Sequence, residues 1–346
     1  MRCINLKLRT SKNPWYFIVL ILLLQPLPME GLQIVSKIMA KDFISWAYSN
    51  PVEPQKSIKE EYLISGSNHN KNQTKSTPRL DTFNTVLFKV TSPNNNKVSY
   101  LFGTHHAFGQ TFFDSLTNAN HALEMCELMI KENLNIPGHL AEDIINSRTS
   151  QTKWHKYLKK EDVLFVQKLF ASSPTDFNKM TPTEMYAFLN RHFKQQVCLA
   201  NDPADSSLSL DDYIAYKARQ REIESIGLET TEEQIELINK DAEGIPKRNH
   251  QRRLSNIIHK LKTKNNNDCA ETAWNSQMQM DYQLNSPCEN TLILTARNNK
   301  WMNTIVELVE SKNCFIAVGL SHLMYECGLI NQLKGLGYTI TPMNVK

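Results

Sequence analysis

The chain is 346 residues long, with 41% apolar, 9% aromatic and 21% charged residues, a composition that can build a sizeable core and excludes a disordered or fibrous protein. Its 39 basic residues against 35 acidic ones leave a formal charge of only +4, too mild a field for a nucleic-acid binder. A mean hydropathy of −0.43 with a single long apolar run excludes a polytopic membrane protein, and seven cysteines without a C-x-x-C pair form neither a disulfide scaffold nor a zinc-finger array.

Arg2, Lys7, Arg9 and Lys12 precede an uncharged stretch, Asn13 to Met29, whose apolar heart is the ten-residue run Trp15 to Leu24, followed by Gln25-Pro26-Leu27-Pro28. A basic flank, a short apolar centre and a prolyl stop are the layout of a secretory signal, and the run is too short to span a bilayer. No small-x-small cleavage site follows, so residues 1–30 read as a signal peptide or as an uncleaved N-terminal anchor. Either way the chain is expected to be exported: periplasmic, extracellular or held at a membrane by this segment. Six cysteines would then remain. Cys269 and Cys288 bracket a polar segment that a disulfide could close, whereas Cys126 and Cys314 sit in apolar stretches that suit buried thiols.

Leu32, Val35, Met39, Phe43 and Trp46 recur at helical spacing, which predicts a helix over Leu32 to Tyr48. A polar linker follows from Ser49 to Arg79. Residues 31–80 therefore read as N-terminal helix and linker, and 81–346 as one α/β domain with a helical insertion about 139–222. That domain opens on a hairpin, Thr85 to Val90 and Val98 to Phe102 around Ser92-Pro93-Asn94-Asn95-Asn96. A helix near Asp114 to Met125 precedes the apolar run Leu128-Met129-Ile130.

Thr181-Pro182-Thr183-Glu184 and Thr230 to Glu233 are capping boxes that open helices. A helix over Leu210 to Arg221 and a strand over Ile223 to Leu228 lie between them. Lys247 to Lys264 reads as a basic helix with a solvated face, in preference to a membrane or polyanion contact. Arg297 to Glu310 is an amphipathic helix, Cys314 to Val318 a buried strand, Tyr325 to Leu336 a helix and Tyr338 to Thr341 a last strand.

Two stretches share one plan. Tyr100-Leu101-Phe102 runs into Gly103-Thr104-His105-His106, and Phe315-Ile316-Ala317-Val318 runs into Gly319-Leu320-Ser321-His322; each is then followed by a helix and a strand. One G-x-x-H is worth little, but the pair in matching contexts points to pseudo-symmetric units. Loops at the carboxyl ends of parallel strands are where α/β proteins bind ligands, and two such units would bring His106 and His322 together as metal-ligating imidazoles. Glu132 and Glu229 end neighbouring apolar runs, and either could complete the ligand set or act as general base. A plainer role for Glu229 is to serve the following helix's dipole. Arg297 could stabilise an oxyanion or simply form a helix-surface salt bridge. Alternation suggests that only one of His105 and His106 points inward. His69, His121, His139, His155, His192, His250 and His259 have no partner at ligand spacing and read as surface residues.

The segments Tyr100 to His106 and Ala317 to Leu323, with Gly328-Leu329-Ile330 and Leu336-Gly337-Tyr338 beyond, resemble the TraB/PrgY/GumN family, the group that includes the animal Tiki proteins. Leu210-Asp211-Asp212-Tyr213, Gly227-Leu228-Glu229-Thr230 with Gln234, and Arg297-Asn298 with Met302 resemble its intermediate blocks in the same order. The likeness runs from about Phe83 to Met343. It implies an α/β fold of the erythromycin-esterase/ChaN kind, with the two G-x-x-H loops facing one another and a helical middle region. It also implies the metal-dependent peptidase activity proposed for the Tiki branch, with manganese or cobalt favoured. On the family pattern the motif histidines are His106 and His322, the acidic residue after the first unit is Glu132, and the arginine is Arg297. This chain carries His105 where the family usually has an apolar residue such as isoleucine, which leaves open which imidazole faces the metal.

The expectation is therefore a metal-dependent hydrolase, most simply a peptidase. His106, His322 and Glu132 or Glu229 would hold a divalent ion (Mn, Co or Zn), a spare carboxylate would take a proton, and Arg297 would steady the developing oxyanion. The alternative is a non-catalytic protein that sequesters a peptide, such as a pheromone, or a small ligand. Haem or iron handling, by analogy with ChaN, is a third.

Overall fold

The computed structural model describes residues 82–346 apart from 201–207, 268, 270–271, 273–275 and 289; the leader, the helix of Leu32 to Tyr48, the linker and His69 lie outside these residues. After a two-residue strand β1 (Thr82–Phe83), the predicted hairpin forms as β2 (Leu87–Thr91) and β3 (Val98–Thr104), and helices α1 (Gln110–Asp114) and α2 (Thr117–Glu124) lead to β4 (Leu128–Asn133). Then come α3 (Ala141–Ser147), α4 (Lys160–Leu169), α5 (Pro182–Phe193), a π-helical turn (Lys194–Cys198), α6 (Leu210–Gln220) and β5 (Glu224–Glu229). The chain continues through α7 (Thr231–Asp241), α8 (Lys247–Thr263), β6 (Met280–Asp281), a second π-helical turn (Thr291–Ala296), α9 (Arg297–Ser311), β7 (Cys314–Gly319), α10 (Leu329–Gly335) and β8 (Thr339–Met343).

Six strands form a mixed sheet in the order β5-β4-β7-β3-β2-β8. The four from β5 to β3 run parallel, and β2 runs antiparallel to both its neighbours. Every residue of β4 and β7 is buried, because helices cover both faces and a central parallel strand needs apolar side chains on each. The edge strand β8 keeps an exposed, partly polar pattern. The connection leaving β3 crosses β7 to reach β4, and the one leaving β7 crosses β3 and β2 to reach β8. Right-handed crossovers in opposite directions place these connections on opposite faces, so β3 and β7 flank a topological switch point.

Both predicted capping boxes are formed: the Thr181 hydroxyl accepts the Glu184 N–H at the start of α5, and that of Thr230 accepts the Glu233 N–H at the start of α7. Behind the sheet lies a second, helical core that includes Ile145, Trp154, Met185, Leu189, Ile235, Ile238, Leu254 and Ile258. It draws on α3 to α5 and also on α7 and α8. Glu184 ties it together, accepting a two-pronged contact from Arg148 (both 2.8 Å) and a third from Asn239 (2.8 Å). The predicted basic helix is α8, which buries Leu254, Ile257, Ile258 and Leu261 and exposes Lys247, Arg248, Arg252 and Lys262.

Two expectations are corrected. Cys269 pairs with Cys198 and Cys288 with Cys327, at Cα separations of 5.2 and 6.0 Å, so the polar segment between Cys269 and Cys288 is not closed on itself. Cys126 and Cys314 remain buried thiols. The helix read over Tyr325 to Leu336 begins only at Leu329, because Tyr325 sits in the left-handed region (φ 68°) and cannot continue a right-handed turn. Among the described residues no helix is long and apolar enough to cross a membrane.

Candidate functional site

The two G-x-x-H loops leave adjacent parallel strands. Tyr100 lies opposite Phe315, and Thr104 opposite Gly319, so the second motif begins one strand away from the middle of the first. Gly103 has an ordinary backbone conformation; its role is spatial. A Cβ there would stand 2.6 Å from Cδ1 of Leu320 and 3.4 Å from its Cα, so the glycine of one motif makes room for the other. Thr104 ends β3, and His322 closes the short 3-10 turn Leu320–His322. Both motif histidines have no exposed surface.

Each imidazole is held through Nδ1. His106 Nδ1 donates to Asp211 Oδ2 at 2.6 Å, and Asp211 sits in the first turn of α6. His322 Nδ1 lies 2.7 Å from Asn298 Oδ1. Asn298 spends its Nδ2 on the carbonyls of His322 (3.2 Å) and Cys327 (2.9 Å), so its oxygen can only accept and His322 carries its proton on Nδ1. The lone pair on His322 Nε2 accepts from Arg297 Nη1 at 2.9 Å.

Arg297, at the first position of α9, is the hub. Its Nη2 donates to Glu132 Oε2 at 2.7 Å, its Nε to Glu229 Oε2 at 3.1 Å, and Nη2 also reaches Glu229 Oε1. The guanidinium lies over the Trp301 ring, 4.5 Å from its centre, a cation–π contact. Glu229 also accepts from Gln234 Nε2 (2.7 Å) and Trp301 Nε1 (3.3 Å). Glu132 Oε1 accepts the Gly319 N–H at 2.7 Å and lies 3.9 Å from His322 Nε2. Burial raises the Glu132 carboxyl above its ordinary range, an effect the Arg297 guanidinium partly offsets. Burial, then the nearby guanidinium, pushes His322 well below the usual histidine value.

A family model for TraB/PrgY/gumN matches residues 86–342, from the start of the hairpin to the last strand of the sheet. The chain belongs to the TraB/PrgY/gumN family. No curated protein matches it.

In this TraB/PrgY/gumN protein the five residues singled out in the sequence, His106, His322, Glu132, Glu229 and Arg297, converge at one end of the sheet and are all buried. The plainer roles for Glu229 and Arg297 do not describe their contacts, since each is enclosed and bonded to the other. The expected alternation of His105 and His106 does not occur: both rings are buried. The Ala107 N–H donates to His105 Nδ1 (3.3 Å), which leaves the proton on Nε2, an atom with no partner among the described residues. Burial and the Lys194 charge keep this ring well below the ordinary histidine value. Of the other histidines, His121, His139, His155 and His259 are exposed, and His192 and His250 half-buried.

Sequence reasoning did not assign roles to Asp211, Asn298, Gln234 or Trp301, although the first three stand inside the blocks that carry the family resemblance. Asp212 beside Asp211 accepts from Lys131 (2.5 Å) and Asn135 (2.6 Å), which anchors α6 to β4. The two π-helical turns, one bearing the buried Lys194 and one ending just before Arg297, left no signal in the sequence; such turns recur at functional sites.

Metal-binding histidines are commonly oriented by an oxygen acceptor on the ring nitrogen that does not ligate, and both imidazoles here are held in that way. Two imidazoles and a carboxylate are side-chain types that cations of the Mn, Co or Zn kind take as ligands. Among the described residues no group of three or more His, Cys, Asp or Glu side chains is placed to hold a metal ion. The guanidinium of Arg297 lies between His322 and the two glutamates.

Proposed function

We propose that this family member is a metal-dependent hydrolase of exported or extracellular peptides, with a fold of the erythromycin-esterase/ChaN kind. The observation that carries the reading is the pair of buried imidazoles in the loops that leave adjacent strands, each with Nδ1 tied to an oxygen and each near a buried carboxylate. His106, His322 and Glu132 would hold the ion, which when bound supplies a Lewis acid and a water of lowered pKa. Glu132 and Glu229 provide carboxylates for proton transfer, and burial raises Glu132 above its ordinary value, the direction that favours a general base. Arg297 offers N–H groups to a developing oxyanion.

His105 Nε2, Thr104 Oγ1, Ser321 Oγ and Gln234 Oε1 are buried around the same strand ends without partners among the described residues. Buried donors and acceptors left open suit the N–H and C=O groups of a peptide. Two disulfides support an oxidising compartment, in line with the N-terminal signal.

Elemental analysis tests the reading directly. Purified protein is expected to carry about one equivalent of divalent metal, lost in His106→Ala and in His322→Ala; equal metal content in all three would overturn it. A mass-spectrometric screen of exported peptides then separates enzyme from binder. Metal-dependent fragments mark a peptidase, and retention of intact peptide marks a sequestering protein.

A further inference from the structure

Between Lys247 and Lys264 there are seven Lys and Arg residues and no Asp or Glu. Taken alone, this run reads as a solvated helix face. The fold sets a second basic segment against it. Gln251 Nε2 donates to the Lys156 carbonyl at 2.8 Å, and Lys247 Nζ lies 5.6 Å from the centre of the Tyr157 ring. Farther along α8, Lys262 meets Asp162 at 2.6 Å and lies over the Phe165 ring. The start of α8 is thus laid against the 3-10 turn Trp154–Lys156, and its end against α4. Lys156, Lys159 and Lys160 on one segment and Lys247, Arg248 and Arg252 on the other are all exposed. None of these six meets a carboxylate among the described residues, whereas Lys97, Lys217, Arg221, Lys300 and Lys312 elsewhere each do. The acids at the borders are Glu161 and Glu243, both exposed, and Asp162, which Lys262 holds. Unpaired like charges on one surface repel one another, and an anionic surface laid against them removes that repulsion.

We propose that this face of the helical layer docks on the anionic phospholipid headgroups of a membrane. Phosphates set side by side in a bilayer match cations spread over two elements. The N-terminal sequence supports that partner. Its apolar run, Trp15 to Leu24, is too short to span a bilayer, and one weak apolar insertion holds a protein only reversibly. A polybasic surface added to it makes the attachment firm. Docking fixes how the domain sits on the membrane, and it requires neither a metal nor a peptide at the histidine site.

The test is sedimentation of the full-length protein with vesicles of phosphatidylcholine, alone or as two parts to one of phosphatidylglycerol. The wild type is expected to bind the mixed vesicles at least about tenfold more tightly. Raising the salt from about 0.1 M to about 1 M shortens the screening length from about 10 Å to about 3 Å and should abolish that preference. Arg248→Gln combined with Arg252→Gln should lower binding to the mixed vesicles about tenfold. Binding to phosphatidylcholine alone, the share owed to the N-terminal segment, should stay the same. Arg219→Gln combined with Lys334→Gln removes the same charge from other exposed positions and should leave the preference intact. Equal binding to both vesicles, or an equal loss in both double variants, overturns the proposal. Retention on a sulfated polysaccharide without preference for anionic vesicles also overturns it, and would assign the face to a soluble polyanion.

Discussion

Single residues decide the chemistry through what holds their rings. Asp211 accepts from His106 Nδ1 and so orients the ring; on the proposed metal reading, Asp211→Asn, nearly the same shape without the charge, is expected to lower metal affinity by about ten- to a hundredfold. Far-ultraviolet circular dichroism of the variant should stay that of the wild type; unchanged affinity would deny Asp211 this positioning role. Protonation of buried rings also shapes stability. His105 and His322 are both held below the ordinary histidine value of 6.5, so the folded state favours their neutral forms. Their contribution is complete above about pH 6.5 and is lost as pH falls through the depressed folded values. Glu132 is shifted upward, so its contribution runs the other way, present at low pH and lost as pH rises. The urea midpoint of metal-free protein should therefore drop on acidification from pH 7, and less steeply in His322→Gln; a flat profile would contradict this. At this scale the G-x-x-H pairs were legible because glycine and histidine are distinctive. The inward turn of both His105 and His106 was not, because neighbouring residues in a loop need not alternate as they do in a strand.

At the scale of elements, local chemistry was the most readable. The Thr-x-x-Glu boxes mark their helix starts because hydroxyl and carboxylate satisfy N–H groups that the helix itself cannot. Thr181→Ala should cost about 1 kcal/mol in urea denaturation, and more if the lost 2.8 Å contact from Thr181 Oγ1 to Asn239 Oδ1 counts separately. Gly328, which caps α10, is the sharper case. A Cβ there would lie 2.2 Å from the Met324 carbonyl oxygen and 2.6 Å from that of Leu323, rigid backbone on both sides. Gly328→Ala is expected to destabilise by about 1–3 kcal/mol, and a variant as stable as the wild type would refute the clash. The left-handed Tyr325 and the two π-helical turns were invisible to pattern reading, since helical periodicity does not register one residue more or less per turn.

For the whole molecule, two cores and two disulfides set different sensitivities. Cys198–Cys269 ties the turn after α5 to the segment beyond α8, in the helical layer, across 71 residues of sequence. Cys288–Cys327 spans 39 residues and fixes the chain whose Cys327 carbonyl accepts from Asn298. Replacing either pair with serine should cost up to about 4 kcal/mol by loop entropy. On the proposed metal reading, only the Cys288–Cys327 replacement should also weaken Mn2+ binding, through Asn298 and His322; loss of binding in the other pair alone would reverse that assignment. The order of strands and helices, the repeated motif and the apolar runs of the central strands were written in the sequence, because they follow from local propensity and from which side chains avoid water. Which cysteines pair, that β3 and β7 lie side by side, and that Arg297 bridges two glutamates and a histidine were decided only by the tertiary structure. Those contacts join residues scores of positions apart, and nothing in the local sequence records the crossover that brings them together.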